Sequence, residues 1–124
     1  MGVGGQLAVS PQGKIGPCQA YLGCDEYFPL DVHALHAKLP DLSIEDIYAD
    51  PMFHEWSYRF PLNMKDCIDC HAIAVCGGGC PYAAHANTGS IWKIDKRICF
   101  QAKQIFEWMI WETYDAMVAE QMKP

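Results

Sequence analysis

The stretch CIDCHAIAVCGGGC, Cys67 to Cys80, places four thiols in one short run; Cys18, Cys24 and Cys99 bring the total to seven. Thiols in such a pattern have four chemical uses. Cys67, Cys70 and His71 have the spacing of a c-type haem attachment site. That reading leaves the other five cysteines without a role and requires an exported chain. The CxxC is also half of a zinc site, but zinc sites are commonly closed by a second, well-separated pair. Here the next cysteines follow after five and then three residues. Disulfides suit an oxidising compartment and an even count, and seven is odd. An iron–sulfur cluster takes four thiolates, usually three close together and one distant. Cys67, Cys70, Cys76 and Cys99 have that arrangement.

Neighbouring residues bear on the same chemistry. Gly77, Gly78 and Gly79 sit between cysteines, and without side chains their backbone can pass close to a bulky group and aim N–H donors at its sulfurs. Such hydrogen bonds raise a cluster's reduction potential, whereas the charges of Asp66 and Asp69 would favour the oxidised state. His71 and His85 flank the run; each could donate to a sulfide or simply pack. His33 and His36, three apart on an expected helix, could pinch a metal or face solvent. Tyr82 is expected to pack over the loop.

The elements that must position these thiols are short. Residues 6–19 read as a β-hairpin, with Leu7, Val9 and Ile15 apolar and a turn at Pro11-Gln12-Gly13, its second arm delivering Cys18. Cys24 follows in a loop. A helix is expected over Val32–Leu39, stopped at Pro40. A second, Ile44–Ala49, is capped by Ser43 with Asp46 three residues on, and a third starts at Asp50-Pro51. The cysteine run reads as a loop, because three glycines in succession oppose helix or strand. A short helix then ends at Gly89, SIWKIDKR is extended, and the longest helix runs from Cys99 to about Ala119. Its apolar stripe is Ile98, Ala102, Ile105, Met109, Thr113 and Met117; Trp108 and Trp111 fall outside it, as core or as a docking face. The fold class is α+β, as one small domain over residues 1–124.

Composition narrows the function. With 124 residues and 51% hydrophobic content the chain is not disordered. Nine basic against fifteen acidic residues give a net charge of −6 and no basic run, so nucleic acid and anionic membranes are not expected partners. No secretory signal and no membrane-spanning run are visible, which places the chain in the cytoplasm.

The spacing C-x2-C-x5-C-x3-C from Cys67 to Cys80, a later single Cys99, and Gly13 followed by four residues and Cys18 resemble the SPASM domain. This is the auxiliary-cluster domain of radical S-adenosylmethionine (SAM) enzymes that modify peptides and proteins, sulfatase maturases among them. SIEDIYADPMFHEWSYR and GSIWKIDKRIC resemble family members too. The resemblance implies two 4Fe–4S clusters, the second ligated by Cys67, Cys70, Cys76 and Cys99, and the first by Cys18 and Cys80. The family's first cysteine has no counterpart before Gly13, so the first cluster is expected to be incomplete, with Cys24 as a substitute ligand. The CxxxCxxC that binds S-adenosylmethionine is absent, as is the barrel that carries it. The chain is therefore expected to be an excised domain or part of a split enzyme, not catalytic alone. Its expected partners are a radical SAM barrel and a peptide or protein substrate, and its role electron transfer or substrate positioning. The alternatives from the residues themselves, a zinc-stabilised interaction module or a haem carrier, remain beside it.

Overall fold

The computed structural model describes residues 6–36 and 43–122 and divides into two compact units, residues 1–64 and 65–124. The architecture is mixed, with one small antiparallel sheet and a long C-terminal helix.

The first unit opens with the expected hairpin, β1 (Ala8–Val9) and β2 (Lys14–Gly16), in register Ala8↔Gly16 and Val9↔Ile15. Its turn is closed by Gly13 N donating to Ser10 O at 2.9 Å and Ser10 N to Lys14 O at 2.8 Å. A third strand, β3 (Leu30–Asp31), pairs Ile15 with Leu30; two residues give too little alternation for the sequence to announce it. Gly16 has to be glycine, because a Cβ there would run into Tyr27 O and the Phe28 ring. α1 (Val32–His36) starts where Asp31 accepts from His33 N at 2.7 Å, a bond that holds the Asp31 carboxyl below its usual range. The expected continuation to Leu39 and the stop at Pro40 lie outside the described residues.

α2 (Ile44–Tyr48) begins with a full capping box: Asp46 N donates to Ser43 Oγ at 3.2 Å, and Ser43 N to Asp46 Oδ2 at 2.8 Å. α3 (Pro51–Tyr58) has Pro51 in its first turn and Asp50 accepting from Met52 N at 2.9 Å. Ile15, Ile47 and Phe53 form the core, with Leu30, Leu35 and Tyr48 packed against it. Tyr21 stacks on Tyr27 at 3.9 Å between ring centroids and meets Trp56 edge-on.

The second unit has a sparser interior. Among its described residues the buried apolar side chains are mostly small: Cys67, Ala72, Ala84 and Ile91. α4 (Ile73–Cys76) lies inside the cysteine run, where the sequence predicts a loop. The helix is one turn long and precedes the glycines; Gly77, in the left-handed region at φ +60°, ends it. α5 (Pro81–Thr88) has Pro81 at its start and left-handed Gly89 at its end, as expected. Ser90–Asp95 turns, with Trp92 N donating to Ser90 Oγ at 3.2 Å, rather than running extended. α6 (Lys96–Gln121) therefore starts a turn earlier than expected, because Asp95 caps it. Trp108 and Trp111 on α6 are exposed and belong to no core.

Candidate metal centre

Three stretches of the second unit build one cavity. The first is a chain of tight turns: Cys70 N donates to Cys67 O at 3.0 Å, and Ile73 N to Cys70 O at 3.1 Å. These turns bring Cys67 and Cys70 onto the cavity wall, Cys67 buried and Cys70 half-buried. The second is α4, whose last residue is Cys76, anchored by its N–H to Ala72 O at 2.9 Å. The third is the first turn of α6, which carries Cys99. Cys67, Cys70, Cys76 and Cys99 all line this cavity. None of the four forms a disulfide. Among the described residues no three His, Cys, Asp or Glu side chains are grouped as a metal ion would need.

The glycines shape one wall. Gly77, Gly78 and Gly79 all have positive φ, at +60°, +83° and +72°, a run that side-chain-bearing residues adopt at a cost of about 1–2 kcal/mol each. Gly78 and Gly79 line the cavity, while Gly77 serves as the end of α4. Ile98 lies behind Gly79, its Cγ2 at 3.5 Å from where a Cβ would stand.

Asp95 sets where Cys99 stands. It is buried, and its carboxylate accepts from Arg97 N at 3.0 Å, Arg97 Nη2 at 2.7 Å and Asn87 Nδ2 at 2.9 Å. Its carbonyl accepts from Cys99 N at 2.9 Å. The carboxylate thus ties α5 to the start of α6 one turn before the last cysteine. The Arg97 guanidinium, against the opposing effect of burial, holds the Asp95 carboxyl down to about 2. Sequence reasoning misses Asp95 and Asn87; the signal that could find Asp95 is a helix cap, Asp-x-Arg ahead of an apolar stripe. Asp66 and Lys103 also line the cavity, Lys103 one turn beyond Cys99 on the same face of α6.

The other candidates are placed elsewhere. Cys18 and Cys24 precede two 3₁₀ turns of the first unit, Gln19–Tyr21 and Asp25–Tyr27; Cys18 is half-buried and Cys24 exposed. Cys80 is exposed at the head of α5 in the second unit, outside the cavity wall. The His71 ring packs 6.0 Å from that of Phe106. Asp69, His85 and Tyr82 are not on the cavity wall. The side chain of His36 lies outside the described residues, so the pair with His33 is not described.

No protein-family model matches the chain, and no solved structure does. The chain is 29% identical, over 96 residues, to the radical SAM cyclopropyl synthase TigE of Paramaledivibacter caminithermalis. The match covers 77% of this chain and 18% of that protein, so the chain spans under a fifth of its relative's length. Among the described residues no helix is long and apolar enough to cross a membrane. The distant similarity supports a radical SAM-associated role.

Proposed function

We propose that this chain is an auxiliary 4Fe–4S domain of a cytoplasmic radical SAM enzyme that modifies peptides or proteins, both units belonging to that one domain. The observation that carries the proposal is the convergence of Cys67, Cys70 and Cys76, from one continuous run, and Cys99, from the start of α6, on one cavity. The donor set fits the group: four thiols on one cavity wall that also includes two glycines. A zinc ion draws its thiolates to about 2.3 Å from a single point. A cluster is a larger body, and its thiolates belong around a cavity. The similarity to a radical SAM enzyme supports the same reading.

In this reading Cys67, Cys70, Cys76 and Cys99 hold the cluster, which when bound supplies one-electron transfer. With a cysteine for every corner no iron is left open, which suits electron exchange with a substrate radical better than substrate ligation. Gly78 and Gly79 put no side chain at the wall, although Gly77 N–H and Gly79 N–H donate to Ile73 O at 3.0 Å and Cys76 O at 3.2 Å rather than to the cavity, and Asp95 holds the start of α6 in place. The radical chemistry itself requires a radical SAM barrel as partner, and a peptide or protein as substrate.

Anaerobic preparation tests this. Equal iron and acid-labile sulfide with a broad brown absorption are expected. Cys99→Ala should remove most of that iron, and Cys24→Ala little of it. One zinc per chain, or a sharp haem Soret band, would replace the proposal with one of the alternatives.

A further inference from the structure

α6 is far longer than the unit that supports it. Its 26 residues span about 39 Å at 1.5 Å per residue, and none of them is buried. The N-terminal part is occupied by α4 and the cysteine cavity. Beyond it, α6 lines a groove with about 650 Å³ of unfilled space, solvent included, whose other wall among the described residues is Val75 of α4. The lining residues of α6 are Phe106, Met109, Ile110, Thr113, Tyr114 and Met117. Counted at 3.6 residues per turn they share one half of the helix surface. Met109, Ile110, Tyr114 and Met117 are 46–58% exposed. A contiguous apolar surface of this kind marks an interaction site.

The charges say what covers it. Lys96, Arg97 and Lys103 lie in the first part of α6, and Glu107, Glu112, Asp115 and Glu120 in the second. This order opposes the helix dipole, which favours acids at the start and bases at the end. An antiparallel neighbour with the same sequence reverses the relation, and in the register below it sets Lys103 of each helix beside Glu120 of the other. The register is also self-complementary. Placing Phe106 opposite Met117 of a second copy places Met109 opposite Tyr114, Ile110 opposite Thr113, and Lys103 opposite Glu120. Lys103 and Glu120 fall on the same half of the helix as the apolar residues, one at each end of the patch.

We infer that the exposed face of α6 is a homodimer interface, in which two copies of the chain pair antiparallel through Phe106–Met117, with Lys103–Glu120 ion pairs at both ends. Lys103 also lines the cysteine cavity, so iron content is measured beside association for its variant.

Sedimentation equilibrium of the 124-residue chain, from low micromolar to submillimolar concentration, tests it. A reversible monomer–dimer equilibrium is expected. Met117→Glu, at an exposed position, should weaken association more than tenfold while leaving the circular dichroism of the monomer unchanged. Lys103→Glu alone and Glu120→Lys alone each place like charges at both ends and should weaken self-association by about tenfold. Mixing these two variants restores opposite charges and should restore dimerisation. A chain that stays monomeric throughout overturns the inference, as does binding of a separate radical SAM chain to this face of a monomer. Association indifferent to the charge exchange overturns it too, because that outcome describes unspecific apolar contact.

Discussion

Asp95 shows how much one side chain sets here. Its carboxylate caps α6, bonds Arg97 and receives Asn87 of α5. Its carboxyl in the folded chain is held to about 2, below the ordinary value of about 3.9. A depressed carboxyl stabilises the fold above its unfolded value, and that stabilisation is lost as pH falls through the folded value. Asp95→Asn should therefore lower the melting temperature at about pH 6, and its difference from the parent should shrink between about pH 4 and about 2. A difference independent of pH would show that the charge does not matter. Gly78 makes a second case. Its φ of +83° implies that Gly78→Ala costs about 1–2 kcal/mol in chemical denaturation, through the backbone conformation itself.

At the scale of elements, each unit answers to different supports. Phe53 of α3 is 1% exposed within the Ile15–Ile47 core. Phe53→Ala should cost about 3–5 kcal/mol by denaturant titration, yet leave iron content per folded chain unchanged if Cys67, Cys70, Cys76 and Cys99 are the ligands. Ser43→Ala breaks the capping box of α2 and should cost about 1 kcal/mol. α6 behaves otherwise. With no buried residue it rests on its cap, on α4 and on whatever covers its exposed face.

For the molecule as a whole, the contrast lies between a first unit with an aromatic and aliphatic core and a second whose interior is a cysteine-lined cavity. If the cavity encloses a cluster, metal binding supplies folding free energy to the second unit. Chelation under anaerobic conditions should then reduce the helical signal of α4–α6 and spare amide protection at Ile15 and Phe53, as read by hydrogen exchange. Equal loss in both units would count against a cluster confined to the second. Much of this was legible in the sequence. Ser43, Asp50-Pro51 and Gly89 marked helix ends because caps and turns act within a few residues of chain. The spacing of Cys67, Cys70 and Cys76 likewise needed only local geometry. What the sequence left open depended on distant partners. β3 exists because Leu30 meets Ile15, and α6 starts at Lys96 because Asp95 is held by Asn87 of another helix. Cysteine spacing groups Cys99 with the other three; what brings it to their cavity wall is the laying of α6 against α4, which spacing does not describe.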